Sequence, residues 1–274
     1  MIQLRVYNDE VPNLELAIGF PNKKVQEIRH DDAKALDIAR VIFAEYQSID
    51  APKGKFWRIL HGHKFYADFF ERDPGVIGVV QDYRLIDVYE PETTAFVEAT
   101  VKEGDVCLDA GASVGYFTLL MARKAGKTGL VYSFEPTKNL FAYLKRNIDG
   151  NGYTNICQPH AQALHSGNGI ISVSGNATGR DNVESITLDS LEIPRLDFIK
   201  MDIDGSEPEA LKGMVKTIER SLNLKMVIEY YPKYIESLGN KPKDMMDFLD
   251  RYFTYERIKG DYGQGYWNYF CRRK

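Results

Sequence analysis

From about residue 93 onward the apolar positions fall into short runs separated by amphipathic stretches, and the two kinds of segment alternate. Helical spacing of apolar residues predicts helices over 93–101, 116–124, 139–147, 206–218 and 243–252. Compact apolar runs predict strands over 105–109, 130–134, 155–160, 196–201 and 225–230. Two further extended segments, 169–174 and 184–187, precede the fourth of these strands. Two closing strands, 255–258 and 266–271, flank a turn rich in glycine (Gly260, Gly263, Gly265). Alternating strands and helices joined by right-handed crossovers build a parallel sheet covered on both faces, and continuous apolar strands are what such a sheet requires. The predicted fold is α/β: a Rossmann-like, doubly wound, mostly parallel sheet with an antiparallel C-terminal edge.

Residues 1–88 carry a different pattern and are read as an N-terminal α/β extension to a main domain spanning 89–274. Within it, Ala35, Leu36, Ile38, Ala39, Ile42 and Phe43 predict a helix over 31–47, with Asp31 and Asp32 suited to its first turn. Residues 54–72 are aromatic (Phe56, Trp57, Phe65, Tyr66, Phe69, Phe70), contain His61 and His63, and receive no assignment. A lid, a substrate-recognition element or an oligomerisation arm would each suit this extension, and the sequence does not give the oligomeric state.

Composition narrows the class without naming it. The 274 residues are 44% hydrophobic and 27% charged, as in ordinary globular proteins. A net charge of −4 argues against a strongly phosphate-driven nucleic-acid binder. Three widely spaced cysteines (Cys107, Cys157, Cys271) form no CxxC pair and suggest neither a zinc site nor a disulfide framework. No apolar run approaches the roughly 18 residues of a membrane span, and the first residues lack a signal-peptide pattern, so a cytoplasmic location is expected.

The candidate chemistry lies at strand ends, where open α/β sheets bind ligands. The first candidate is the turn Asp109-Ala110-Gly111-Ala112-Ser113-Val114-Gly115, followed by a helix starting at Tyr116. Its glycines permit a tight turn, the helix N-terminus suits a carboxylate, and Asp109 suits an ammonium. The second is Glu135-Pro136, at the end of the next strand: the acid can accept hydrogen bonds from a ribose diol, and the proline turns the chain away. Glu135 follows Gly111 by 24 residues, near the roughly 20 usual for this role. The third is Gln162-Ala163, placed to flank an adenine ring. G-x-G-x-x-G is absent, because Gly111 and Gly115 are four apart. The turn and the strand-end acid together therefore favour S-adenosylmethionine over NAD.

In this order the motifs resemble the FkbM family of methyltransferases. The pieces are Tyr89-Glu90-Pro91-Glu92, residues 105–117, Phe134-Glu135-Pro136, Thr187-Leu188-Asp189-Ser190-Leu191, residues 199–207, and Ile228-Glu229-Tyr230-Tyr231-Pro232. The resemblance implies an S-adenosylmethionine-dependent enzyme acting on a hydroxyl of a sugar, glycoconjugate or other small molecule, with Glu90 among the cofactor-site residues. Two positions depart from the family's usual pattern: Ser113 stands for Asn, and Asp204 for Glu.

Methyl transfer to a hydroxyl needs a positioned acceptor and a destination for its proton. Asp202, Asp204 and Glu229 follow or end adjacent strands. One reading makes Asp202 or Glu229 a general base; Asp202 also borders the cofactor. The other makes Asp202, Asp204 and Glu229 oxygen ligands of a hard cation such as Mg²⁺. Against both stands a plain structural role, in which these acids and Glu207 cap a helix or pair with Lys200 or Arg123. His160 and His165 are expected in a loop or core. The Asn/Asp-Pro-Pro-Tyr signature of exocyclic base methylation is missing, while N-methylation of other acceptors, RNA ribose methylation and a cofactor-retaining binding module stay open.

Overall fold

The computed structural model describes residues 2–3, 17–18, 55–60, 63–68, 88–175, 179–259 and 265–274. The chain divides into two compact units, Met1–Tyr89 and Glu90–Lys274. In the first, β1 (Ile2–Gln3) pairs antiparallel with β2 (Ala17–Ile18), and β3 (Lys55–Leu60) with β4 (His63–Asp68). The second pair falls in the aromatic segment that the sequence left unassigned; its Phe, Trp, Ile and Tyr residues are the types that favour a pleated surface. The helix predicted over 31–47 lies outside the described residues.

The second unit begins with α1 (Pro91–Thr100), β5 (Val106–Ala110), α2 (Tyr116–Ala125), β6 (Leu130–Phe134), α3 (Lys138–Gly150) and β7 (Cys157–His160). Three short strands follow, β8 (Ala163–Leu164), β9 (Gly169–Gly175) and β10 (Gly179–Ile186), in a separate small sheet of order β8-β10-β9. Then come β11 (Phe198–Met201), α4 (Glu207–Lys212), α5 (Val215–Arg220), β12 (Lys225–Tyr230), α6 (Pro232–Ser237), α7 (Pro242–Tyr252), β13 (Phe253–Arg257) and β14 (Trp267–Arg273). The main sheet has the order β13-β14-β12-β11-β5-β6-β7. Its five strands from β12 to β7 are parallel, and β14 runs antiparallel between β12 and β13. The predicted doubly wound sheet and its antiparallel edge are both present.

The strand order explains where a ligand can enter. From β5 the chain steps outward through β6 and β7, then returns to β11 on the other side of β5. The crossovers on the two sides diverge there and leave a crevice beyond the carboxyl ends of β5 and β11. Leu108, Ala110, Ile199, Met201, Met226 and Ile228 are fully buried in the core beneath it, as strands covered on both faces must be. Among the described residues, no helix is long and apolar enough to cross a membrane.

The single helix predicted over 206–218 is two helices broken at Gly213. A Cβ at this residue would lie 2.0 Å from the His165 carbonyl oxygen, so the chain can pass that loop only as glycine. After the break, the Asp189 carboxylate accepts hydrogen bonds from the amides of Lys216 (3.0 Å) and Thr217 (2.8 Å), which supplies the start of α5 with acceptors from a distant segment. The short α6, a six-residue helix opened by Pro232, is too brief to show a helical period in the sequence.

At the opposite edge of the sheet Asp197 ties three strands together. Its amide donates to the Val106 carbonyl (2.8 Å), its carboxylate accepts from the Val106 amide (2.9 Å), and its carbonyl accepts from the Lys225 amide (3.1 Å). Only the side-chain bond depends on residue type. Asp197→Ala leaves the Val106 amide without its acceptor and is expected to lower stability by about 1–3 kcal/mol. Urea denaturation checks this, and an unchanged midpoint would show that the side chain contributes nothing to register.

Candidate active site

The turn after β5 is fastened to β6 by its own amides. Those of Gly111 and Ala112 both donate to the Phe134 carbonyl (3.0 and 2.9 Å), and that of Ser113 donates to Glu135 Oε2 (2.9 Å). The amide of Gly115 closes the turn onto the Ala112 carbonyl (2.8 Å). These four amides are therefore engaged within the protein, so donors for an anion must come from the Val114 amide or the first turn of α2. Glu135 is buried and held from its other side by the Thr137 amide (2.8 Å to Oε1). Asn147, fully buried on α3, donates to the Val114 carbonyl (2.7 Å) and pins the turn from behind. Two buried polar atoms of this stretch, Asp109 Oδ1 and Ser113 Oγ, have no hydrogen-bond partner within the protein. Unsatisfied buried polar atoms are rare, and a polar ligand with an ammonium would satisfy both.

Asp109 itself is deeply buried. Its Oδ2 accepts from the Thr118 hydroxyl (2.6 Å), which also lies 2.9 Å from Ser133 Oγ. Burial raises its carboxyl above the usual range against the opposing pull of Lys200 and Thr118. Tyr116 is buried, and its phenol oxygen accepts from the Thr94 hydroxyl of α1 (3.2 Å). His160, at the end of β7, stacks on Phe134 with ring centroids 4.6 Å apart. Beyond it Gln162 is half-buried, and Ala163 is buried in β8.

The acids gather next to this turn. Asp109 and Lys200 are register partners on β5 and β11, while Asp202 follows β11 and Glu229 lies near the end of β12. Lys200 is 4% exposed, donates to Asp202 Oδ2 (3.0 Å) and lies 4.9 Å from the centre of the Phe117 ring. Burial alone would lower its pKa, but the carboxylates of Asp202, Glu90 and Asp109 outweigh burial and raise it, so the ammonium stays charged. Glu90, in left-handed backbone at the start of α1, acts on both Lys200 and Glu229. Burial pushes Glu229 up to about 10, with Asp202 and Glu207 adding repulsion. Burial likewise pushes Glu207 up to about 8. One lysine cannot neutralise all of these acids at once, so Glu207 and Glu229 favour their protonated forms and would ionise together only beside added positive charge.

Asp202, Glu207 and Glu229 each bring a ligand oxygen within 4.8 Å of the others. Asp204 does not join them: it is exposed, in left-handed backbone, and Glu207 stands in the cluster instead. The signal for Glu207 was present in the sequence, since Ala210 and Leu211, three and four positions on, are apolar and put it on the buried face of α4. Arg123 pairs with Glu98 at the surface, not with these acids (2.7 Å).

Gly111 joins the two halves of the site. At its left-handed φ of 81°, a Cβ would fall 1.8 Å from the Asp202 carbonyl oxygen and 3.1 Å from Ile203 Cγ2. Gly111→Ala must displace the acid-bearing loop and is expected to destabilise the protein by about 3 kcal/mol or more. Gly152→Ala, which meets left-handed strain (φ 72°) but open space, is expected to cost only about 1–2 kcal/mol. Thermal melts of the two variants check this; equal losses would mean that the close approach at Gly111 carries no weight.

The Methyltransferase FkbM domain matches residues 109–257, more than half of the chain. The chain is 28% identical over 190 residues to the hexuronic acid methyltransferase AglP of Haloferax volcanii, covering 64% of this chain and 74% of that protein. It is 27% identical over 97 residues to the catalytic subunit TRM61 of a tRNA (adenine(58)-N(1))-methyltransferase of Yarrowia lipolytica, covering 35% of this chain but only 25% of that one. In fold it is similar to a Pyrococcus horikoshii protein described as a transferase, with a TM-score of 0.51 and 12% identity over 87% of this chain and 81% of that one. Domain match, strand order and glycine turn agree: the chain belongs to the FkbM family of S-adenosylmethionine-dependent methyltransferases.

Proposed function

We propose that the enzyme methylates a hydroxyl of a sugar, glycoconjugate or similar small molecule. The observation that carries this reading is the close approach of Gly111 to the Asp202 carbonyl, too tight for any Cβ, which sets the glycine turn directly against acids able to receive a hydroxyl proton. The donor, when bound, supplies an electrophilic methyl group whose leaving group needs no protonation. What remains for the protein is to hold both partners in line and to remove the acceptor proton.

In this reading Glu135, oriented by two amides, accepts from the ribose diol, since an ionised carboxylate offers about four acceptor sites. Asp109 Oδ1 and Ser113 Oγ meet the amino-acid end of the donor beside Gly111, Ala112, Gly115 and Tyr116. Pro136, Gln162 and Ala163 border the adenine, and Glu90 and Asp202 border the reacting end. Asp202, or Glu229 in its ionised form, takes the hydroxyl proton, while Asp204 lies at the exposed rim. Tyr231 stacks between Tyr234 (4.3 Å) and Tyr266 (5.2 Å), and burial, followed by the charge of Asp204, raises the Tyr234 phenol above its usual range. These rings offer flat apolar faces of the kind on which the C–H face of a sugar can rest. The name of the Haloferax volcanii relative supports a sugar acceptor, and the acidic crevice disfavours a phosphate backbone.

Release of adenosylhomocysteine is expected with hydroxyl acceptors such as uronic acids; release with amines or RNA alone would overturn the reading. Glu229→Gln is expected to lower kcat by about 10²- to 10⁴-fold without abolishing donor binding, as measured by steady-state kinetics and calorimetry. Glu135→Ala is expected to act the other way and weaken donor binding by roughly 10- to 100-fold, the effect of losing charge-assisted bonds worth about 1.5–3 kcal/mol. An undiminished kcat in the first variant, or undiminished donor affinity in the second, would remove that residue from its assigned role.

A further inference from the structure

The acid cluster contains a group that general-base chemistry leaves unused. Glu207 is 1% exposed and sits at the start of α4. Its Oε1 accepts from the Ile203 amide (2.9 Å), which fixes the carboxyl, but its Oε2 is buried with no hydrogen-bond partner. A merely capping glutamate would leave its second oxygen in water, where desolvation costs nothing. Here a second polar atom has been taken out of water and left without a protein donor, beside two other carboxyl groups.

The geometry limits what could satisfy it. One ligand oxygen each from Asp202, Glu207 and Glu229 lies within 4.8 Å of the other two. Oxygens bound to one hard cation at about 2.0–2.6 Å can be no more than about 4–5 Å apart, so the three already lie within the span of a single coordination sphere. Lys200 does not fill this role: its ammonium is placed 3.0 Å from Asp202 Oδ2, and Glu207 Oε2 receives no hydrogen bond from it or from any other group. All three candidate ligands are carboxylates, which select Mg²⁺, Mn²⁺ or Ca²⁺ over softer metals.

We propose that Asp202, Glu207 and Glu229 form a binding site for one hard divalent cation of the Mg²⁺ or Mn²⁺ type, with open coordination positions that take water and the acceptor hydroxyl. The inference rests on the hydroxyl-acceptor reading and deepens it. Mg²⁺ commonly keeps part of its shell for water and substrate, so three protein ligands suffice. A hydroxyl on the cation is oriented by it and is more acidic, so the proton leaves more readily to a carboxylate or to water. Glu207 is then a metal ligand and not a helix cap.

The test titrates Mn²⁺ into the full chain and follows free Mn²⁺ by electron paramagnetic resonance. One saturable site is expected. In Glu207→Gln, affinity should fall by about tenfold or more, the least that losing even an outer-sphere partner costs a metal site. The glutamine retains an oxygen for the Ile203 amide, and circular dichroism checks the fold; if that variant does not fold, Asp202→Asn takes its place. No saturable Mn²⁺ binding, or binding unaltered in the folded variant, overturns the proposal. Calorimetry with adenosylmethionine and turnover in EDTA separate the two claims. Donor binding and hydroxyl methylation that persist in EDTA without Mn²⁺ binding overturn the metal site alone. Transfer confined to amines or RNA overturns the hydroxyl reading.

Discussion

The crevice is governed by an excess of carboxyl groups around one buried ammonium. Lys200 is held charged by Asp202, Glu90 and Asp109, while Glu207 and Glu229 are driven toward their protonated forms by burial and by their acidic neighbours. Ionising these acids together is unfavourable unless something positive enters, because removing ionised groups from water is costly and mutual repulsion adds to it. A sulfonium donor is one such partner, and a divalent cation is another.

The fold delivers these groups through register more than through loops. Parallel pairing of β5, β11 and β12 places Asp109 beside Lys200 and brings Asp202 and Glu229 to neighbouring strand ends. Asn268, buried on β14 opposite Glu229, donates to the Thr93 hydroxyl (3.0 Å) and thereby fixes α1, whose start carries Glu90. Gly111 completes the arrangement, because only a residue without a side chain lets the turn after β5 pass so close to the Asp202 carbonyl.

Much of this was legible in the sequence, and the exceptions have physical causes. Buried parallel strands announce themselves as apolar runs, so β6 and β12 were placed residue for residue and the sheet followed from the alternation. The glycine turn and Glu135 lie side by side as the sequence order suggests, because the amide of Ser113 reaches the Glu135 carboxylate across neighbouring strand ends. The break at Gly213 was not legible, because it answers to a carbonyl nearly fifty residues away. In sequence Glu207 looks like a helix-terminus acid whose charge suits the helix dipole, and the depth of its burial is set by tertiary packing that the local sequence does not carry. Asp204 was grouped with Asp202 on spacing alone, and the left-handed turn at Asp204 sends it to the surface.

A crystal structure with adenosylhomocysteine bound tests the central claim most directly. The ribose is expected on Glu135, the amino-acid end against Asp109 and Ser113, and the sulfur facing Asp202 and Glu229 across a space large enough for an acceptor hydroxyl. A sulfur directed away from both acids, or with no such space before it, would contradict that claim.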